Sequence, residues 1–123
     1  MYMKTVKLFN LKICINIFLL SFISISLTFP VTAGNQTGKV DYVLVRASDG
    51  LVYFTIKGSA KINSPACAEN GYWMIRDENS EAGKKQYSML LAAQASGREI
   101  RVQGMHTCNR WSDGEDVDFL QLY

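Results

Sequence analysis

The alternation of apolar and polar positions predicts a β-hairpin that begins near residue 39. Lys39–Ala47 is rich in β-branched and aromatic residues, and its alternation places three side chains on one face: Val40, Tyr42 and Leu44. Asp49-Gly50 follows, and an Asp-Gly pair between two such runs is a hairpin signal. Leu51–Lys57 is the predicted second strand, and its inward face consists of Val52, Phe54 and Ile56.

After the hairpin, the pattern predicts a loop, a short strand and one helix. Gly58–Gly71 contains a proline, a cysteine and two glycines, which is typical of a loop. Tyr72–Arg76 is the predicted third strand. Good helix formers then predominate from Glu81 to Ser96, with Ser80 or Asn79 available as the N-cap. Gly97 occupies the position of a left-handed C-cap.

Two further strands complete the predicted order β-β-β-α-β-β. Arg98–Gly104 alternates with Ile100 and Val102 inward, and Asp116–Tyr123 carries apolar residues on both faces. Five short strands with one helix between the third and the fourth is the order of the OB-fold, a five-stranded barrel. The alternative is another small α+β arrangement of the same elements.

The first 33 residues differ in kind from the rest of the chain. Met1–Lys12 carries three lysines and no acid, and Ile13–Phe29 is uncharged and apolar. Val31–Ala33 then places small residues at the two positions that a signal peptidase recognises. We therefore predict a cleaved secretory signal over residues 1–33 and one domain over residues 34–123. The alternative is a retained membrane anchor, although the apolar run is short for a span and contains several hydroxyl side chains.

Removal of the signal changes the charge of the protein. The whole chain has a formal net charge of +2, and loss of the three signal lysines leaves −1. The composition then gives no reason to expect nucleic-acid binding. We expect a secreted or periplasmic protein with no membrane span after processing.

Two cysteines, Cys67 and Cys108, remain after the signal is removed. In an exported protein the simplest expectation is that they pair. The chain-entropy model gives about 4 kcal/mol of stabilisation for a loop of this length. The alternatives are two free thiols or a metal site built on His106 and Cys108. Because no second close-spaced pair of ligands accompanies His106 and Cys108, neither a metal nor another cofactor is expected.

The predicted helix has an uncharged outer side. At about 100° per residue, the side predicted to face the barrel holds Tyr87, Leu90, Leu91, Gln94 and Ala95. The opposite side holds Met89, Ala92, Ala93 and Ser96. No charged residue occurs from Gln86 to Ser96, so we predict that this opposite side contacts another subunit. The alternative is that alanine is simply a good helix former and that the face is solvated.

Three segments carry a resemblance to a known family: Leu51–Lys57, Pro65–Cys67 and Tyr87–Val102. In their order, and with Cys108 after them, they resemble the B subunits of bacterial five-subunit exotoxins, in the subtilase cytotoxin and pertussis-like group. The resemblance covers about residues 38–123. It implies an OB-fold, a ring-shaped homopentamer with its helices near the central pore, and glycan binding on the barrel surface. It also implies a separate catalytic A component as a partner, which this chain does not contain.

The same resemblance points to one candidate ligand-binding residue. The family's glycan pocket lies near the start of the first strand and includes a serine hydroxyl. The corresponding stretch here is Asn35–Gly38, which contains no serine, so Thr37 is the residue that offers a hydroxyl. This difference bears on specificity for sialic acid.

A second candidate for ligand binding is the loop beside Cys108. It brings an amide, a guanidinium, an indole and a carboxylate into five positions: Asn109, Arg110, Trp111 and Asp113. Sugars stack on aromatic faces and form hydrogen bonds with such polar groups. The alternative is that Trp111 folds back over the end of the barrel.

Catalysis has little support in the sequence. His106 is the only imidazole, and the cysteine beside it is expected in a disulfide. Four acids crowd residues 113–118 without the spacing of a calcium loop, and we predict a solvated acidic loop: Asp113, Glu115, Asp116 and Asp118. We therefore expect a non-catalytic subunit that recognises a glycan. The alternative is a structural or protein-interaction module that assembles or tethers a partner polypeptide.

Overall fold

The computed structural model describes residues 32–123, so the predicted signal sequence lies outside the described residues except for Thr32 and Ala33. Six elements follow one another: β1 (Asn35–Val45), β2 (Val52–Gly58), β3 (Trp73–Met74), α1 (Glu81–Ser96), β4 (Glu99–Gly104) and β5 (Glu115–Leu122). This order confirms the predicted β-β-β-α-β-β succession. In this part of the chain, no helix has the length and apolar character needed to cross a membrane.

The five strands close into one barrel. The order around the wall is β1-β2-β3-β5-β4, and β4 pairs with β1 to complete the circle. Neighbouring strands are antiparallel except for β3 and β5, which run parallel. This is the predicted OB-fold, and its closure gives every strand a hydrogen-bonded neighbour on both sides.

Apolar side chains fill the inside of the barrel. The inward faces predicted for β2 and β4 are confirmed, since five side chains are buried: Val52, Phe54, Ile56, Ile100 and Val102. Trp73 is fully buried, and its indole Nε1 donates a hydrogen bond to the side-chain oxygen of Gln36 at 2.8 Å. The amide nitrogen of Gln36 donates in turn to the Ile56 carbonyl at 3.2 Å. These polar groups are therefore satisfied inside an apolar core.

A β-bulge in β1 changes which side chains face the core. The pairing with β2 shifts by one residue between Val40 and Tyr42, so Asp41 is an extra residue in the strand. Beyond the bulge, Val43 packs against the core, whereas Tyr42 and Leu44 are exposed. The prediction that Val40, Tyr42 and Leu44 share one face is wrong for this reason.

Helix α1 has the predicted bounds because both of its ends are capped. Ser80 Oγ accepts a hydrogen bond from the Gly83 amide at 3.0 Å. Gly97 adopts a left-handed φ of 66°, as predicted for a C-cap, and its N–H donates to the Gln94 carbonyl.

The side of α1 that packs on the barrel agrees with the predicted side only in part: Tyr87 and Leu90 pack on the core as predicted, whereas Leu91, Gln94 and Ala95 are exposed. Leu90 and Ala93 have no exposed surface and Met89 packs against the core, whereas Leu91 is 43% exposed. The small side chain of Ala93 lets the helix approach the barrel closely. The prediction that Ala93 faces another subunit is therefore wrong, whereas Met89 is only partly buried and its subunit contact stays a prediction. The other two residues of that set are exposed: Ala92 and Ser96.

Cys67 and Cys108 form the predicted disulfide, with their Cα atoms 6.2 Å apart. The bond joins the loop between β2 and β3 to the loop between β4 and β5. These two loops lead into β3 and β5, which pair in parallel. The disulfide therefore lies at the end of the barrel from which both strands start.

Candidate functional site

The loop between β4 and β5 (residues 105–114) is held by a buried aspartate. Asp116 has no exposed surface. Its carboxylate accepts three hydrogen bonds from the loop, from Asn109 N at 2.7 Å, Arg110 N at 3.1 Å and Thr107 Oγ1 at 2.7 Å. Hydrogen bonds to an ionised carboxylate are stronger than neutral ones. The backbone that carries Asn109 and Arg110 is thus fixed from inside the barrel.

Glu115 is buried as well, and it lies among groups from distant parts of the chain. Its Oε1 accepts hydrogen bonds from Gly34 N at 2.9 Å and His106 N at 3.1 Å. Lys61 Nζ lies 3.4 Å from its Oε2. The prediction of a solvated acidic loop is therefore wrong for Glu115 and Asp116. Within residues 32–123, no three His, Cys, Asp or Glu side chains form a group that could hold a metal ion.

Arginine–carboxylate pairs join the turn between β1 and β2 to the β4–β5 loop. Arg110 Nε lies 2.9 Å from Glu78 Oε2, and Arg110 Nη1 lies 3.3 Å from Asp49 Oδ2. Asp49 also accepts hydrogen bonds from Arg46 at 2.8 and 2.7 Å. The bond from Arg46 is the main reason that the pKa of Asp49 is well below its usual range. The two cations and two anions of this network compensate one another.

Trp111 lies on the surface of this network. Its side chain is 41% exposed, and the guanidinium carbon of Arg46 lies 4.0 Å from the centre of its ring. This distance is that of a cation–π contact. Trp111 therefore does not fold into the core, and Arg46 fixes the orientation of the indole.

Three tyrosine rings form a continuous strip beside the same two loops: Tyr42, Tyr53 and Tyr72. The ring centres of Tyr42 and Tyr53 are 6.1 Å apart, and those of Tyr53 and Tyr72 are 5.0 Å apart. Tyr42 is on β1 and Tyr53 on β2, so the tyrosine strip crosses the outside of the barrel wall. The bulge at Asp41 is what turns Tyr42 outward.

One end of the tyrosine strip contacts the β4–β5 loop. The Tyr72 hydroxyl donates a hydrogen bond to Asp113 Oδ1, and the Asn70 amide donates to Asp113 Oδ2 at 3.0 Å. Partial burial, and then the bond to Asp113, raise the pKa of Tyr72 to about 12. The strip therefore ends in an amide and a carboxylate that already lie in fixed positions.

Thr37 lies apart from the other candidates. Ser59 binds both backbone groups of Thr37: Thr37 N donates to Ser59 Oγ at 3.0 Å, and Ser59 N donates to the Thr37 carbonyl at 2.9 Å. Thr37 is near the start of β1, whereas the β1–β2 turn follows Val45. The other four candidates lie in the β4–β5 loop rather than on this strand.

The structure thus collects four of the five predicted ligand-binding residues in one loop: Asn109, Arg110, Trp111 and Asp113. Sequence reasoning missed Tyr42 and Tyr53. The alternation of β2 already places Tyr53 on the outer face, whereas the bulge that exposes Tyr42 has no marker in the sequence.

The site has to be interpreted from its own geometry. Comparisons with protein-family models, with curated proteins and with solved structures give no match to the chain. What the surface offers is the exposed ring of Tyr42, two half-buried tyrosine rings packed beside it, an exposed indole and several fixed polar groups. In OB-folds, the β1–β2 and β4–β5 loops with the adjoining face of strands 2 and 3 form the usual binding region for oligosaccharides and oligonucleotides.

Proposed function

We propose that the protein is an exported, non-catalytic binding subunit that recognises a carbohydrate. The tyrosine strip and the β4–β5 loop form the binding surface. The observation that carries this proposal is the row of three tyrosine rings that ends at the Asn70–Asp113 pair. Aromatic rings pack against the C–H faces of sugars, and amide and carboxylate groups accept or donate hydrogen bonds to sugar hydroxyls.

The charge of the surface favours a neutral sugar. Arg46 and Arg110 bind Asp49 and Glu78, so neither arginine is free to pair with an acidic ligand. A surface that bound a polyanion would need an excess of positive charge. An uncharged oligosaccharide binds through contacts with aromatic rings and through hydrogen bonds to polar side chains. The tyrosine strip and the Asn70–Asp113 pair offer both.

A glycan array of neutral and sialylated oligosaccharides, probed with the purified oxidised protein, tests this function. We expect binding to neutral glycans that falls about tenfold or more in Tyr42→Ala, because Tyr42 contributes an exposed ring. Tyr123→Ala is the control, since Tyr123 is also exposed, at 52% against 42% for Tyr42, but follows the end of β5. A blank array, or equal binding by the two variants, would contradict carbohydrate recognition and favour the protein-interaction module instead.

The same proposal includes assembly into a ring, a homopentamer on the family resemblance. Support comes from the exposed side of α1, which carries Leu91 and Ala92 and no charge from Gln86 to Ser96. An uncharged side of three turns is suited to contact between subunits. Native mass spectrometry of the exported protein measures the number of subunits, and a monomer at micromolar concentration would contradict the ring. A separate catalytic A component would then bind this assembly.

Export is the remaining part of the proposal. The Cys67–Cys108 disulfide supports it, because such bonds persist in oxidising compartments such as the periplasm and the extracellular space. The intact mass of the protein recovered from the periplasm or the medium tests removal of residues 1–33. A mass that includes them would contradict the cleaved signal.

A further inference from the structure

A buried carboxylate faces the peptide bond at which the predicted signal ends. Glu115 has no exposed surface, and its Oε1 lies 2.9 Å from the backbone nitrogen of Gly34. Gly34 is itself buried, whereas Thr32 is exposed and Ala33 half-buried. The residue that would become the first of the mature chain thus points its nitrogen into the barrel wall, and the bond before it lies nearer the surface.

Glu115 is incompletely compensated by the rest of the barrel. Its Oε2 has no hydrogen-bond partner among the described residues, and Lys61 Nζ lies 3.4 Å away. Lys61 is itself nearly enclosed, with its ammonium 3.7 Å from the centre of the Trp73 ring, and burial lowers its pKa. A buried carboxylate whose one ion-pair partner is itself desolvated is costly. A second positive charge at Gly34 would reduce that cost.

We propose that cleavage after Ala33 creates a buried ion pair between the new α-ammonium group of Gly34 and the carboxylate of Glu115. Hydrolysis of the Ala33–Gly34 bond adds the oxygen of one water to Ala33, which leaves as a carboxylate, and both of its hydrogens to the Gly34 nitrogen. A neutral amide N–H thereby becomes a group with one positive charge and three donors. The inference rests on the predicted removal of residues 1–33 by a signal-type endopeptidase, and it is independent of carbohydrate binding.

The site accepts a glycine terminus and little else. A Cβ atom on residue 34 would collide with Glu115 Oε2. The Gly34 carbonyl accepts hydrogen bonds from Gly104 N at 2.7 Å and from the side-chain amide of Gln103 at 3.2 Å. These bonds fix the direction in which the Gly34 nitrogen points. A chain that kept Ala33 would place its ammonium about 3.8 Å further along, outside the buried position. The site therefore distinguishes the correct end of the chain from one that is a single residue longer.

The decisive experiment compares two mature chains, one that begins at Gly34 and one that keeps Ala33. Both are released from a fusion by a protease that leaves no residue behind, and both are oxidised. At pH 6.5 we expect the chain that begins at Gly34 to unfold at a Tm about 5 °C or more above the longer chain. Lys61 and the backbone N–H of His106 contact Glu115 in both proteins, so the two chains differ only at their first residue.

Two further measurements separate the ion pair from a general effect of length. The Tm difference should disappear at pH 10, where the α-amine is neutral, and it should disappear in the Glu115→Gln background. If Glu115→Gln does not fold, the α-amine titration by NMR in the unchanged protein replaces it, with a pKa above the ordinary range of about 7.7–8.0 expected. Equal Tm values for the two chains, an ordinary α-amine pKa, or an exported protein that begins at another residue would each overturn the proposal.

Discussion

The hydroxyl of Tyr72 donates a hydrogen bond to the carboxylate of Asp113, a residue 41 positions later in the chain. The Cys67–Cys108 disulfide has the same sequence separation and joins the same two loops. A covalent and a non-covalent cross-link therefore hold the tyrosine strip against the β4–β5 loop. The proposed binding surface should therefore depend on both cross-links.

Tyr72 should ionise later than an ordinary tyrosine. Its pKa is raised to about 12, above the value of 10.0 for an unperturbed phenol, so folding favours the protonated form. This contribution to stability is complete below about pH 10 and is lost as the pH rises through about 12. An ultraviolet titration of phenolate should show one late step that is missing in Tyr72→Phe and retained in Tyr123→Phe. Ionisation of all tyrosines near pH 10 would contradict the bond to Asp113.

Asp116→Ala should destabilise the barrel and release the β4–β5 loop. The substitution leaves the amides of Asn109 and Arg110 without their acceptor inside the protein. We expect a loss of about 3 kcal/mol in the free energy of unfolding, measured with denaturant. The exposed neighbour Asp118 provides the control, since Asp118→Ala should change that free energy by less than about 0.5 kcal/mol. Equal effects of the two substitutions would show that Asp116 does not hold the loop.

An introduced charge should have different effects at two neighbouring alanines of α1, Ala92 and Ala93. Ala93→Glu puts a carboxylate where no surface is exposed, so we expect a loss of at least about 3 kcal/mol in the free energy of unfolding. Ala92→Glu leaves the barrel folded, because Ala92 is exposed, but it places charge on the proposed subunit contact. Thermal melts and sedimentation velocity measure the two effects. An Ala92→Glu protein of unchanged sedimentation would place the contact elsewhere.

Loss of the disulfide should weaken the fold and the binding surface together. For Cys67→Ser with Cys108→Ser, the chain-entropy model gives a loss of about 4 kcal/mol in the free energy of unfolding. Glycan affinity of the fraction that remains folded should also fall, because Asn70 and Asp113 then lie on loops with one cross-link fewer. Denaturant unfolding and a binding titration, each compared with the oxidised parent, measure these effects. Unchanged affinity would mean that the non-covalent contacts position the loop without the disulfide.

The sequence predicts the fold well because the local preferences for helix caps and strands agree with the tertiary structure. The helix is bounded by Ser80 and Gly97, whose side-chain and backbone preferences act within a few residues. The strand order follows from the number and order of the elements, and OB topology is one of few ways to close them. The first strand was predicted to begin at Lys39 but begins at Asn35, because polar residues before it pair with β4.

The candidate site was predicted only in part, since its key contacts link positions far apart in the sequence. In the sequence, Asp116 and Glu115 are indistinguishable from solvated acids. Only the structure shows that amides of the β4–β5 loop and of Gly34 donate hydrogen bonds to them. The outward direction of Tyr42 depends on one inserted residue, Asp41. Which face of α1 packs on the barrel depends on how closely the helix approaches it. Alanine occurs on both buried and exposed helix faces, so the sequence does not show that Ala93 is buried.

Strand β3 contributes only Trp73 and Met74 to the barrel wall. The connection between β2 and β5 is therefore only about 7 Å long, measured along the strand. A wall that is two residues wide at one place opens there before it opens elsewhere. The disulfide connects the loops that lead into β3 and β5 and limits how far these two strands can separate. Oxidation therefore also restrains local opening of the native barrel, and reduction should speed hydrogen exchange at the amides of Trp73 and Met74 while the remaining strands stay protected.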